Sequence, residues 1–198
     1  MTSPSGWDVR ERHATVAEIH QRRADPGGGR RATVCWPTDS AVVLGSAQPE
    51  SDLDEQRCRD EGLSVVRRRS GGGAVLVEPG AQVWVDFEVG PDDPLLLADV
   101  AASFLWVGEL WAIAIGAGEV LVEGKKAVGL SQRRDRSGAR FHSMALLRDE
   151  PERLAGLLSR PAAEQKAAEQ ALRAISGALP GGADVGQALA VALVSLLP

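Results

Sequence analysis

Short extended runs crowd the middle of this chain and helical spacings occupy its flanks, which excludes a regular alternation of strand and helix. Segments 32–36 and 41–44 read as strands, joined by the turn-prone Pro37-Thr38-Asp39-Ser40. Segment 63–67 is the next strand. Segments 74–77 and 82–89 predict a hairpin across Glu78-Pro79-Gly80-Ala81. In its second arm Val83, Val85 and Phe87 alternate with Trp84, Asp86 and Glu88. Segments 120–122 and 127–132 predict another hairpin around Glu123-Gly124-Lys125, and 140–147 returns as a strand after Asp135-Arg136-Ser137-Gly138. Helical spacing appears over 9–23, through Val9, Val16 and Ile19, and over 52–61 with Ser51 as N-cap. It appears again over 97–115, and from Pro151 onward over 151–158, 161–179 and 184–197. The fold class that follows is α+β.

At 198 residues the chain has the length of one globular domain, with 151–198 as a helical C-terminal segment. Its net charge of −5 excludes a general nucleic-acid binder, so its basic clusters are local features. The opening residues lack the apolar core of a signal peptide, and the apolar stretch 188–197 is too short to span a bilayer. Two cysteines, Cys35 and Cys58, show no metal-binding spacing and read as free thiols. The expected setting is the cytoplasm, with no membrane partner. The five tryptophans read as core or sheet-face residues. His13, His20 and His142 have no Ser or Cys at a suggestive spacing and read as non-catalytic.

Two basic, glycine-bearing segments carry the chemistry. The first, Arg67-Arg68-Arg69-Ser70-Gly71-Gly72-Gly73-Ala74-Val75, follows the extended Ser64-Val65-Val66. Three successive glycines remove every Cβ, so backbone N–H groups can approach an anion closely. Flanking arginines add forked donors suited to carboxylate or phosphate. The second, Gly124-Lys125-Lys126-Ala127-Val128-Gly129-Leu130-Ser131-Gln132, follows Val120-Leu121-Val122. Together they predict a pocket for an acid undergoing activation.

At these residues the chain resembles the biotin/lipoate protein ligase family, in its lipoate–protein ligase branch. The family pattern Arg-Arg-x-Ser/Thr-Gly-Gly-Gly-Ala-Val is met by Arg67, Arg68, Ser70, Gly71, Gly72, Gly73, Ala74 and Val75. The pattern Gly-Arg/Lys-Lys-x-x-Gly-x-Ala/Ser-Gln-Arg is met by Gly124, Lys125, Lys126, Gly129, Ser131, Gln132 and Arg133. Val42-Val43-Leu44-Gly45-Ser46-Ala47-Gln48 resembles the strand and glycine turn that precede the first motif, and the resemblance covers about residues 10 to 160.

The resemblance implies a fold like biotin ligases and class II aminoacyl-tRNA synthetases: a mixed, mostly antiparallel sheet with flanking helices. It implies that lipoate or octanoate attacks the α-phosphate of ATP to give an acyl-adenylate. A lysine of a lipoyl domain then takes the acyl group. The acceptors it implies are the lipoyl domains of 2-oxoacid dehydrogenase complexes or the glycine cleavage H protein. Lys126 is then the catalytic cation beside carboxylate and α-phosphate, with Lys125 on the opposite face. Arg68, Ser70, Gly71 to Gly73, Ala74, Val75, Gly129, Ser131 and Gln132 line the substrate and nucleotide site. Glu119 takes the position of an acidic group for Mg2+.

Many relatives carry Tyr/Phe-His-Asp-x-Gly-Asn after the glycine motif, where this chain has Leu76-Val77-Glu78-Pro79-Gly80-Ala81. The link before Glu119 is also shorter. Both departures fit an alternative, a relative that binds acid, adenylate or lipoyl domain without turnover. An octanoyltransferase is a further alternative. Relatives of that kind place a nucleophilic cysteine shortly before the Lys hairpin, and no cysteine follows Cys58 here.

Overall fold

A computed structural model describes residues 6–22, 29–116, 121–122 and 124–198. In chain order the elements are β1 (Trp7–Ala14), α1 (Val16–Gln21), β2 (Arg30–Pro37), β3 (Ala41–Leu44), α2 (Glu55–Asp60), β4 (Ser64–Arg67), β5 (Val75–Val77) and β6 (Gln82–Val89). They continue with α3 (Leu105–Ala114), β7 (Leu121–Val122), β8 (Lys125–Lys126), β9 (Val128–Asp135), β10 (Gly138–Leu146), α4 (Pro151–Gly156), α5 (Ala162–Ile175) and α6 (Gly182–Ser195).

The main sheet has five strands in the order β1-β2-β6-β10-β9, and a three-stranded sheet has the order β4-β3-β5. Among the described strand pairs, only β1–β2 and β3–β4 are parallel. The expected mixed, mostly antiparallel sheet with flanking helices is present. One face of the main sheet builds the larger core: Ala32, Val34, Val83, Val85, Phe87, Ala139 and Phe141 pack with Val107, Leu110 and Trp111 of α3 and with Leu189 and Leu193 of α6. A second cluster, with Val16, Ile19, Cys35, Val43, Val66 and Trp84, fills the space between the two sheets and α1. Trp7, Trp84 and Trp111 are buried as expected.

Several elements differ from the sequence expectation, each for a physical reason. The expected helix over 9–23 is instead β1 followed by α1. Trp7 and Ala14 are buried while the residues between them are half-buried or exposed. A sheet edge tolerates Asp8, Arg10, Glu11 and Arg12, so strand alternation is masked by edge charges. Helix α1 starts where Thr15 caps it, its hydroxyl accepting from the Glu18 N–H while the Glu18 side chain accepts from Thr15 in return. Helix α2 is capped by Asp54 rather than Ser51, and Glu50–Asp52 forms a 3-10 turn before it. The predicted hairpin of β5 with β6 does not form. Strand β5 pairs with β3, and β6 pairs with β2 and β10, so the Pro79-Gly80 turn carries the chain from one sheet to the other. The helix expected over 97–115 is shorter, a 3-10 turn at Ala102–Phe104 leading into α3. Strand β9 continues three residues beyond the expected end at 132, because β10 pairs with it as far as Asp135.

Candidate functional site

Strands β3 and β4 run parallel and finish together, Leu44 beside Arg67. Two turns leave that common edge and lock against each other. The Ser46 N–H donates to the Ser70 carbonyl at 3.0 Å, and the Arg68 N–H donates to the Leu44 carbonyl at 2.9 Å. Approach here is so close that a Cβ on Gly45 would collide with the Gly72 carbonyl oxygen. Gly72 itself sits at φ +104, a region that favours glycine, and a Cβ there would meet the Arg68 guanidinium at 2.6 Å. The N–H groups of Gly71, Gly72 and Gly73 donate to no acceptor among the described residues, and the three glycines are exposed. The turn therefore presents uncommitted amides to an anion.

The arginines around it divide the work differently from the expectation. Arg68 is buried, and its guanidinium donates to the carbonyls of Gly71, Gly73 and Val43 at 2.8–3.2 Å. Nearly all its donors are engaged, so Arg68 holds the turn in shape instead of offering a free fork to an adenylate. Arg67 braces the neighbouring turn through the carbonyls of Gly45 and Gln48 and the Glu50 carboxylate. Arg69 has no hydrogen bond or ion pair to a described residue. It lines a small polar cavity instead.

The second motif reaches the first through β9. Ser70 Oγ lies 3.0 Å from Ser131 Oγ, joining hydroxyls 61 residues apart in the chain. Gly129 sits two residues before Ser131, opposite Met144 of β10. The Gln132 side-chain carbonyl accepts from Arg134 Nε at 3.1 Å, and its buried Nε2 has no partner. Ala74 and Val75 line a mostly apolar cavity of about 120 Å³ with Leu76, Leu146, Leu154 and Leu172, and Glu78, Arg148, Asp149 and Glu150 also reach its wall. Lys125 and Lys126 are both exposed on β8. The stem of Lys125 lies against Gly177, where a Cβ would meet it at 3.2 Å. Lys126, next along the strand, projects from the other face, and its ammonium has no carboxylate partner among the described residues. Glu119 falls outside the described residues. Among those described, no group of three His, Cys, Asp or Glu side chains is placed to hold a metal ion.

The sheet face between these motifs and α1 was not legible as a site. Strand register aligns three rows across it. Arg31, Glu88, Arg140 and Arg133 form one row, and Thr33, Asp86, His142 and Ser131 the next. Cys35, Trp84, Met144 and Gly129 form the third, which joins the apolar cluster between the sheets. Asp86 is fully buried and accepts from Trp84 Nε1 at 2.9 Å, His142 Nδ1 at 2.8 Å and the Arg140 guanidinium. Burial pulls the Asp86 pKa up, but the Arg140 charge and the hydrogen bonds from Arg140 and His142 prevail and hold it well below the carboxylate range. His20 packs on Trp84 with ring centroids 4.7 Å apart, and burial pushes its pKa down to about 3. The alternation of Asp86 and Glu88 with apolar residues predicts the strand, and the structure buries every residue of it, the acidic ones included.

Neither cysteine is placed as a nucleophile. Burial, then the neighbouring Asp86 carboxylate, pushes the Cys35 thiol well up, and Cys58 is likewise raised by burial and Asp54. No helix among the described residues is long and apolar enough to cross a membrane.

Residues 9–177 match the family described as the lipoyl protein ligase A/B catalytic domain. Among solved structures, the chain is similar to a bi-partite lipoate protein ligase from Thermoplasma acidophilum, studied with its E2 lipoyl domain. That similarity has a TM-score of 0.73 at 15% identity, over 94% of this chain and 81% of the other. A lipoate-protein ligase A bound with ATP is similar with a TM-score of 0.58 at 15% identity, over 96% and 94%. P. falciparum LipL1 in complex with lipoate is similar with a TM-score of 0.64 at 14% identity, over 96% of this chain and 60% of that one.

Proposed function

We propose that this chain, which belongs to the lipoyl protein ligase A/B catalytic domain family, joins a carboxylic acid to a protein lysine through an acyl-adenylate. The observation that carries the reading is the Ser70–Ser131 contact, which brings a turn with three uncommitted amides against the strand that follows Lys126. An anion at the turn is held by backbone N–H groups, as in other nest-like sites.

In the first step an acid carboxylate oxygen attacks the α-phosphate of ATP and pyrophosphate leaves. Two anions meet there, and the Lys126 ammonium offsets their repulsion and the charge that develops between them. In the second step the acceptor lysine amine attacks the acyl carbonyl, an amide forms and AMP leaves. The apolar cavity beyond Ala74 and Val75 suits the adenine ring, while Gly129, Ser131 and Gln132 set the strand against which the acid lies. Arg68 acts by fixing the turn. Glu119 is the carboxylate assigned to nucleotide-borne Mg2+ in this reading. Lipoate and octanoate are the reference acids. Lipoyl domains of 2-oxoacid dehydrogenase complexes or the glycine cleavage H protein are the acceptors, in the cytoplasm, with 1–198 acting as one catalytic domain.

The test is ATP–pyrophosphate exchange with a panel of acids. Lys126→Ala should lower the rate on the order of 100-fold with the fold retained. Lys126→Arg should not restore it fully, since a planar fork replaces a point charge. Lys125→Ala, with its stem on Gly177, should be nearly silent. Exchange that is indifferent to Lys126 defeats the mechanism. A second reading, acid binding without turnover, is favoured by the Leu76 to Ala81 segment that lacks the relatives' His and Asn. It predicts binding with no exchange for any acid.

A further inference from the structure

The polar cavity lies where both motifs meet α1, and its walls are His20, Arg22, Arg69, Arg133, Arg140 and His142. Arg69 stands one residue before Ser70, and Arg133 two residues after Ser131, so this cavity adjoins the Ser70–Ser131 contact. Two of its arginines are neutralised from behind: Arg22 by Glu88 at 2.9 Å, and Arg140 by buried Asp86. Arg69 and Arg133 have no acidic partner among the described residues. Asp135, also on the wall, accepts from the Ser137 N–H at 2.9 Å. His20 adds an independent sign of a missing ligand. It is 93% buried, and its Nδ1 has no partner.

The sheet floor beneath the cavity is charged. An aliphatic tail entering between Arg69 and Arg133 would cover these two exposed guanidiniums and strip their water without replacing its hydrogen bonds, which is unfavourable, and the buried ions beneath offer it no apolar surface. Size acts in the same direction, because the free volume is about 10 Å³, room for one water-sized group. One carboxylate oxygen fits such a space; an eight-carbon chain does not.

We propose that the acid taken at this site is a short dicarboxylate. One carboxylate reacts at the glycine turn, and the second sits between Arg69 and Arg133 with an oxygen reaching the His20 end of the cavity. This deepens the ligase reading and rests on it for which carboxylate reacts. The binding claim stands on the cavity alone.

Calorimetric titration of the whole protein with succinate, glutarate, acetate and octanoate, without nucleotide, tests it. Succinate or glutarate should bind at least tenfold more tightly than acetate or octanoate. The Arg69→Ala/Arg133→Ala variant should lose at least tenfold of that affinity while its circular dichroism is unchanged, since both side chains are exposed. Tighter binding of octanoate, diacid binding indifferent to the two arginines, or no diacid binding at all would each overturn the inference. Pyrophosphate exchange then separates the two ideas. A diacid that binds while no acid of the panel supports exchange defeats the ligase reading and leaves the cavity assignment intact. Exchange with octanoate in a protein that binds no diacid defeats the cavity assignment and leaves the ligase reading intact.

Discussion

The two faces of the five-stranded sheet are made by the same strands and behave as different materials. Toward α3 and α6, β6 and β10 present Val83, Val85, Phe87, Ala139 and Phe141 to a core of aliphatic and aromatic side chains. Toward α1, the residues between them place Asp86, Glu88, Arg140 and His142 at similar depth. On the first face, stability comes from area removed from water and is non-directional. On the second, each ion is tolerable only because its partners are in place. The first face therefore accepts volume-conserving changes, and the second answers to the identity of single atoms.

The sharpest way to break this contrast is to remove one partner on the polar face. Asp86→Ala leaves Arg140 buried without its carboxylate and should cost about 3–5 kcal/mol, as much as Phe87→Ala on the apolar face. The joint change Asp86→Leu with Arg140→Met should recover most of that loss, since a buried ion pair can be replaced by apolar groups of similar volume. Urea unfolding of the three variants reads all of it. If Asp86→Ala is neutral, the burial described for that face is wrong.

A second, smaller effect separates the faces by pH. His20 is held neutral in the folded protein, its pKa depressed from 6.5 to about 3, first by burial and then by His142. The unfolded chain takes up a proton in this range that the folded chain refuses. Stability contributed by His20 is thus complete above its unfolded pKa and drains as pH falls through the window between 6.5 and about 3. The slope approaches about 1.4 kcal/mol per pH unit. His20→Leu should flatten the fall in urea midpoint between about pH 7 and about pH 5 relative to the parent. Parallel curves for the two proteins would refute the assignment.

The smallest effect concerns the helix that roofs the polar face. Thr15→Ala removes the α1 cap and should cost about 1 kcal/mol, with faster amide exchange at Glu18 and Ile19 and little change at α3. Equal changes at both helices would mean that α1 is not an independent roof.

These contrasts also explain what could be read from the chain before its structure. The glycine and lysine motifs were legible because their chemistry is local: three glycines in a row mean an approachable backbone wherever they lie. The pairing of the two segments predicts that they share a pocket, but not the Ser70–Ser131 contact that joins them, since no local pattern relates residues that far apart. Strand β1 read as a helix because its charges lie on an open edge, where burial imposes no alternation. The β5–β6 hairpin failed because turn chemistry at Pro79-Gly80 fixes a reversal but not the sheet that receives each arm. The polar face stayed hidden because Asp86 and Glu88 look solvent-facing until α1 is placed over them. Arg68 was assigned to the ligand because a sequence cannot show that nearby carbonyls already occupy its donors.

The hydroxyl contact between Ser70 and Ser131 bridges the three-stranded and five-stranded sheets. Either sheet formed alone would carry half a site. Occupancy and docking of the sheets are then thermodynamically linked. A ligand gripping both sides raises the free energy of separating them by RT ln(1 + [L]/Kd), about 2.7 kcal/mol at a hundredfold excess over Kd. The melting temperature of the protein should therefore climb with the logarithm of the concentration of any acid it recognises.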